Sequence, residues 1–325
     1  LYYSGFGGYY QILNKIMLRG PLGNSKYRPR FSGHDTFPFR YQWLTKLSFF
    51  LKNNGPKKVK EFEQNKLDNI VNFGMGLNMV KSMRFWGIST KVCNSNFELT
   101  DFGKQIFSTE KSLDPYLEDV STLWLLHWAL VSNPDLTTWY YAFNYFDSVS
   151  FDREKLTNDI ASVSKFSKWT GANINTIKRD VDCFIRTYTV STKKGEITED
   201  SLECPLAELN LILSEGSKNY FEFQRGPKSS LSLDVFEYAL HDYWNKKNET
   251  SEILTFEKIM YDFGSPGKVF LLDEKSLDFY LESLESKKNA IFRFAKGAGG
   301  LKQIQKVNNL QDKDLLKKCY IRKVA

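Results

Sequence analysis

The sequence predicts a mainly α-helical protein with small β-hairpins, an α+β fold. In it, tandem winged-helix or helix-turn-helix-like modules surround a buried aromatic helical hairpin. Three observations support this class. Residues 113–146 contain two strongly apolar runs, helix-turn-helix-strand patterns recur along the chain, and 15% of the 325 residues are aromatic. A chain of this length has room for about two or three compact domains.

Changes in composition suggest how the chain is divided. Residues 1–30 contain several glycines without a clear period, so they are expected to form a loosely ordered extension. The polar run at 192–200 is typical of a connector. The expected domains are an N-terminal winged-helix domain at 31–110, a central helical domain at 111–191 and a C-terminal winged-helix-like domain at 200–325.

The overall charge and the rarer residues restrict the classes of function. Lys and Arg exceed Asp and Glu by 45 to 38, and the net charge of +7 is a mild bias toward polyanionic partners. No segment is typical of a membrane span or a secretory signal, which predicts a cytoplasmic protein without a membrane partner. The four scattered cysteines and three histidines lack the spacing of a zinc knuckle.

The aromatic hairpin is the clearest predicted element. Residues 123–131 are apolar on every side except at His127, and a helix that is hydrophobic all round belongs inside a protein. The second run, 139–146, is almost wholly aromatic. Pro134 lies between the two runs and cannot sit in a helix interior. We therefore expect two antiparallel buried helices, with His127 as a hydrogen-bonded core residue.

Before this hairpin, residues 57–107 follow the order of a winged helix. A polar helix at 59–71 and a turn precede a helix at 77–86, a hairpin around 94–96 and a last helix from 99. The second helix carries amide, cationic and hydroxyl groups that suit base edges and phosphates. The alternative is a winged helix used only for protein contact. The predicted DNA-binding residues here are Asn78, Lys81, Ser82 and Arg84.

A second basic helix is predicted after the hairpin, at 176–188. Ile177, Val181, Phe184 and Tyr188 would form its inward stripe, and Asn175 suits its N-cap. The outward positions are basic, which favours a second helix-turn-helix; the alternative is an ordinary solvated face. The predicted DNA-binding residues here are Lys178, Arg179 and Arg186.

His34 and Asp35 are the candidate catalytic residues, because a histidine beside a carboxylate in a polar loop can serve acid–base or metal chemistry. The alternative is that His34 ties the loop to the core through hydrogen bonds. Asp114, Glu118 and Asp119 could hold a divalent cation. Acids in such a position more often complement the dipole of the following helix.

Seven stretches of the chain carry a family resemblance. They are FSGHDTFPFRYQWL (31–44), FGMGLNMVKSMRFWG (73–87), LTDFGKQIF (99–107), LDPYLEDVSTLWLLHWALVSNP (113–134), TTWYYAFN (137–144), TIKRDVDCFIRTY (176–188) and AGGLKQIQ (298–305). They resemble the bacterial SspB-like family of DNA phosphorothioation systems, long known only as a domain of unknown function. The resemblance covers nearly everything from Phe31 onward, with mild departures at Asp35 and Phe39.

The resemblance implies a DNA-binding protein with nicking activity. Such systems replace a non-bridging phosphate oxygen with sulfur as a mark for phage defence. The implied partners are double-stranded DNA, a cysteine desulfurase, an ATP pyrophosphatase-like sulfur enzyme and an ATPase. A nickase would use Mg²⁺ or Mn²⁺ to stabilise charge on the attacked phosphate. Because no nuclease motif of paired acids with a nearby lysine is present, the alternative is a non-catalytic winged-helix regulator or assembly factor.

Overall fold

The computed structural model describes residues 18–64, 74–190, 204–215, 219–247, 252–287, 290–297 and 300–320. This part of the chain is mainly helical and contains two small antiparallel sheets of three strands each. The predicted α+β class is therefore confirmed. None of the helices in these ranges is long and apolar enough to cross a membrane.

The helices and strands are numbered here in chain order. The N-terminal helices are α1 (Trp43–Gln64), α2 (Leu77–Ser89) and α3 (Asp101–Phe107). The central elements are α4 (Val120–Val131), α5 (Thr137–Asn144), β1 (Ser150–Asp152), α6 (Arg153–Phe166), α7 (Ile174–Tyr188), β2 (Ile212–Glu215) and β3 (Tyr220–Phe223). The C-terminal elements are α8 (Leu233–Lys247), β4 (Ile253–Thr255), α9 (Phe256–Tyr261), α10 (Pro266–Val269), α11 (Glu274–Glu285), β5 (Phe292–Lys296), β6 (Lys302–Lys306) and α12 (Asp312–Lys318).

The two helices of the aromatic hairpin, α4 and α5, form the centre of the molecule. All of α5 and all but the first residue of α4 are buried. The two helices pack on each other, α4 also packs on α8, and α5 also packs on α7 and α10. The side chain of Asp119 caps α4 by accepting a hydrogen bond from the amide of Ser121. The acids before α4 therefore include a helix cap, as favoured at a helix N-terminus.

His127 is a hydrogen-bonded core residue, as predicted. Its Nε2 lies 2.8 Å from the carbonyl oxygen of Val269, so this nitrogen donates and the other must accept. The hydroxyl of Tyr188 donates to Nδ1 at 2.9 Å. Burial lowers the pKa of His127 to about 3, so the ring is neutral. These two bonds join α4 to α7 and to α10.

The two sheets share one connectivity. Each begins with a short strand, continues through helices and ends in a hairpin, and the first strand pairs with the last. In the first sheet Phe151 pairs with Phe221, and in the second Leu254 pairs with Ile304. Strand β1 lies in the predicted central domain, whereas its partner β3 lies in the predicted C-terminal domain. The first sheet therefore combines strands from both sides of the polar run at 192–200.

The N-terminal segment differs from the predicted winged helix in two places. Helix α1 continues as one helix to Gln64, and the rest of the predicted helix at 65–71 lies outside the described residues. The predicted hairpin around 94–96 is reduced to one bridge between Cys93 and Leu99. Its tip is closed by the Asn94 side chain, which accepts hydrogen bonds from the amides of Asn96 and Glu98. Such local side-chain bonds compete with the pairing of strands.

Of the expected extension at 1–30, residues 1–17 lie outside the described residues, and residues 18–30, which we call the strap, contact the core. Leu22 is fully buried. The hydroxyl of Tyr27 donates to the carbonyl of Pro134 at 2.8 Å, and the amide of Arg30 donates to the hydroxyl of Thr137 at 2.8 Å. The sequence did not indicate these contacts, because the lack of a period does not register single anchoring side chains.

A glycine permits a close approach of the strap to the ring of Phe263. Gly20 has a φ of 73°, a conformation that L side chains rarely adopt. A Cβ atom at this position would lie 2.3 Å from the ring of Phe263. The neighbouring carbonyl of Arg19 accepts a hydrogen bond of 2.7 Å from the hydroxyl of Tyr145, which stacks on Phe263. The strap is thus fitted to the surface that it covers.

We expect acid to destabilise the protein through His127. Its pKa is about 3 in the folded state and near 6.5 in the unfolded chain, so below pH 6.5 only the unfolded state binds this proton. The stabilisation is fully present above pH 6.5 and is lost as the pH falls toward 3. The free energy of unfolding should fall by about 1.4 kcal/mol per pH unit from this residue. Urea unfolding at several pH values between about 7 and about 4.5 measures the slope.

The matched variant is His127→Gln, which retains a donor and an acceptor but does not titrate. It should be less stable than the wild type near pH 7, by about 1–3 kcal/mol, because its bonds to Val269 and Tyr188 are poorly aligned. The difference in stability between the two proteins should shrink as the pH falls. A constant difference over this range would show that His127 does not contribute the slope.

Candidate nucleic-acid interface

Helix α7 presents the basic face predicted from the sequence. Its inward stripe of Ile177, Val181, Phe184 and Tyr188 is buried. The helix begins earlier than predicted: Asn173 is the N-cap, and its side chain accepts a hydrogen bond of 2.9 Å from the amide of Thr176. Asn173 has the extended backbone that a cap requires, whereas the predicted cap at position 175 already lies within the helix.

The three predicted DNA-binding residues of α7 differ in their surroundings. Lys178 and Arg179 are exposed. Arg186 is half-buried, and its guanidinium donates a hydrogen bond of 3.0 Å to the carbonyl of Thr36. Between them, Asp182 forms an ion pair of 3.0 Å with Arg153 of α6. The positive charge available to a ligand therefore lies in the N-terminal half of α7, while Arg186 holds a loop in place.

The predicted polar face of α2 is only partly at the surface. Asn78 and Lys81 are exposed. Ser82 is fully buried, and its hydroxyl lies 3.3 Å from the carbonyl of Phe37, to which it donates. Arg84 lies over the ring of Phe97 at 4.0 Å, a cation–π contact. The prediction that Ser82 contacts DNA is wrong, because the loop before α1 covers this side of α2.

His34 does not pair with Asp35. Its Nε2 lies 2.7 Å from Oδ1 of Asp180, and the amide of Thr36 donates to its Nδ1 at 3.1 Å. Because Nδ1 accepts, Nε2 carries the proton and donates to the carboxylate. The amide of Ser32 donates to the same carboxylate oxygen at 2.7 Å. The structure therefore has the alternative arrangement, in which His34 ties the loop to the core.

Burial supports this structural reading of the pair. His34 and Asp180 are both almost fully buried, and rings of Phe85 and Trp139 lie edge-on to the imidazole at 5.6 and 6.1 Å. Asp35 is half-exposed in a left-handed turn with a φ of 43°. Asp180 was missed as a partner, although the sequence holds a signal. It is a carboxylate on the inward side of an amphipathic helix, and such a group requires a partner.

The described residues do not assemble a site for the predicted Mg²⁺ or Mn²⁺. In these ranges no three His, Cys, Asp or Glu side chains gather as a metal site. The buried Asp114 accepts hydrogen bonds from the amides of Glu118 and Asp119, at 2.8 and 3.1 Å, and from the hydroxyl of Thr122. This acidic segment therefore forms a turn and a helix start. Both nitrogens of His34 are likewise engaged, so the donor sets named from the sequence do not fit a divalent ion.

The chain is similar to known proteins both in structure and in sequence. Two solved structures are similar to it over most of both chains. The "Magnesium ion-bound SspB crystal structure" has 27% sequence identity and a TM-score of 0.77, with 90% of this chain and 89% of that chain covered. The "SspB crystal structure" has 26% identity, the same TM-score and the same coverage. The resemblance to the SspB-like family is therefore confirmed.

A family model also matches the chain, over residues 31–320, and it is described as a protein of unknown function (DUF4007). No curated protein matches the chain significantly. The matched range contains α1 and α7 as well as the aromatic hairpin. Since this range is most of the sequence, the chain belongs to the DUF4007 family.

Proposed function

We propose that the protein is a DNA-binding component of a DNA phosphorothioation system, and that α7 carries its DNA contact. The observation that supports this most strongly is the outer face of α7. There, Lys178 and Arg179 are exposed on a helix whose inner face is fixed in the core. Lysine and arginine on one helix face suit the phosphates and base edges of a duplex. The similarity to SspB supplies the biological setting.

The order of the elements supports winged-helix modules. In a winged helix a strand, two helices and a hairpin follow one another, and the first strand pairs with the last. The elements β1, α6, α7, β2 and β3 have this order and this pairing. The second helix of a helix-turn-helix enters the major groove and contacts bases through its N-terminal residues. Helix α7 occupies this place, and Lys178 and Arg179 lie in its first half.

The C-terminal module has the same connectivity but a different charge. Helix α11 takes the place of α7, and its exposed or half-exposed acids are Glu274, Asp278, Glu282 and Glu285. An acidic helix repels phosphates. We therefore assign the duplex contact to the central module rather than to the C-terminal one.

Binding, rather than cleavage, is the activity that the geometry supports best. One of the similar SspB structures contains a magnesium ion. In this chain, the described residues do not bring three potential metal ligands together. The nickase remains the second candidate, with Mg²⁺ or Mn²⁺ as its cofactor. The cysteine desulfurase, the ATP pyrophosphatase-like enzyme and the ATPase remain proposed partners for either candidate.

Removing the two cations of α7 should weaken duplex binding. For Lys178→Ala/Arg179→Ala we expect the affinity to fall by about tenfold to a hundredfold at low salt. The slope of log affinity against log salt should fall by about 0.9 for each phosphate that the protein no longer neutralises. Fluorescence anisotropy of a labelled duplex over a series of salt concentrations measures both quantities.

The control for this experiment is Lys313→Ala/Lys317→Ala, which removes the same charge from exposed positions of α12. The control should retain most of the affinity. Both variants should melt like the wild type, because all four side chains are exposed. If the two variants lose affinity equally, or if neither loses any, the contact is not through α7.

A second pair of variants tests the N-terminal helix. Asn78→Ala/Lys81→Ala removes the two exposed predicted residues of α2 and spares Arg84, whose guanidinium packs on Phe97. If α7 is the main contact, this variant should lose less than about threefold in duplex affinity. A loss equal to that of the α7 variant would show that both helices contact DNA.

We expect the highly purified protein to leave a supercoiled plasmid intact in Mg²⁺ or Mn²⁺. The structural role of His34 predicts a different effect for His34→Ala. The free energy of unfolding should fall by about 3 kcal/mol, because the buried carboxyl of Asp180 loses its side-chain partner. Gel electrophoresis of the plasmid and urea unfolding of the variant measure the two effects. Nicking that EDTA abolishes would favour the nickase. If His34→Ala then remained folded but lost only nicking, His34 would be catalytic.

A further inference from the structure

A groove that the sequence did not indicate lies between the strap and the turn that joins α6 to α7. Its volume is about 520 Å³, and it is lined by eight residues within 18–28 and by residues 166–170. The second wall leads directly into α7, which begins at Ile174. The volume falls in the range of ordinary ligand sites and suits about one or two nucleotides. The groove is therefore a second surface beside the helix to which we assign duplex binding.

The charge of the groove selects an anionic ligand. Arg19, Arg28 and Lys168 line it, and all three are exposed. The described lining contains no Asp or Glu. Arg28 donates hydrogen bonds only to backbone carbonyls among the described residues, including that of Tyr27 at 3.1 Å. Its charge is thus available to phosphate oxygens.

The aromatic side chains of the groove select a ligand with open ring faces. Phe166 is 55% exposed and lines the groove together with the three cations. Trp169 is half-buried and braced by the rings of Tyr27 and Phe31, with centroids 5.3 and 6.5 Å away. Aromatic rings held in a basic groove stack on nucleic-acid bases. Such stacking requires exposed base faces, and in a duplex these faces are covered by the neighbouring base pairs.

We propose that this groove binds a short run of unpaired DNA. Its bases would stack on Phe166 and Trp169, and its phosphates would contact Arg19, Arg28 and Lys168. The proposal rests on the proposed function and deepens it, since it names a second form of the same polymer beside α7. A strand opened next to the duplex contact would enter the groove without leaving the protein.

The test uses a fluorescent oligothymidylate of about ten nucleotides, the size that single-strand binding modules cover, and a blunt duplex. The wild type should bind the oligothymidylate. Phe166→Ala should weaken this binding by about tenfold with the salt slope unchanged, because stacking is worth about 1–3 kcal/mol per base. Lys168→Glu should weaken it as well and should lower the salt slope by at least about 0.7. Duplex affinity should respond to Phe166→Ala by less than about twofold.

Two controls match these variants in chemistry and exposure. Phe279→Ala removes a phenylalanine that is 65% exposed outside the groove, and Lys165→Glu reverses an exposed charge that does not line it. Neither should weaken oligothymidylate binding by more than about threefold, and all four variants should keep the wild-type melting curve. The groove variants change exposed side chains, so loss of folding is not expected to mask the result.

The outcomes separate the groove from the proposed function. If the duplex binds through Lys178 and Arg179 but the oligothymidylate does not bind, the groove proposal is overturned and the proposed function stands. If the oligothymidylate binds but neither groove variant weakens it more than its control, the groove proposal is also overturned. If the wild type binds neither probe, both proposals fail.

Discussion

The structure depends on one buried imidazole at the centre of the aromatic hairpin. His127 joins α4 to Tyr188 of α7 and to the carbonyl of Val269 in α10, and all of these groups are removed from water. A buried polar group without a hydrogen-bond partner costs about 1–3 kcal/mol. The native packing therefore requires α4, α7 and α10 to meet at His127. Rings of Trp124 and Phe143 lie edge-on to the imidazole and fill the space around it.

This constraint determines what α7 can do. Its last turn is fixed by Tyr188, and its middle is fixed by Asp180, which holds His34 and the loop before α1. The inner face of the helix is therefore used entirely for packing. Lys178 and Arg179 remain on the opposite side, at a fixed angle to the core. Under the proposed function, this arrangement would suit the recognition of a duplex, because Lys178 and Arg179 would be held in place before DNA arrives.

Local patterns in the sequence were sufficient for the hairpin, for the inward stripe of α7 and for the structural role of His127. They failed where the deciding contact is distant. Asp180 is 146 residues from its partner His34, and β1 is a strand of three residues, too short to show a period. Ser82 was misplaced because a helical projection assumes one buried face, whereas α2 is covered on a second side by the loop at Phe37. The groove also escaped prediction, since it forms only when the strap folds back onto the turn before α7.

The most direct test of α7 as the DNA contact is site-directed cross-linking. The four native cysteines are buried, so a photoactivatable probe can be attached selectively to Lys178→Cys or, as a control, to Lys313→Cys on α12. With a duplex present, the probe at position 178 should cross-link to DNA upon illumination, and the probe at position 313 should not. Efficient cross-linking from position 313, with none from position 178, would contradict the assignment of α7 as the helix that contacts DNA.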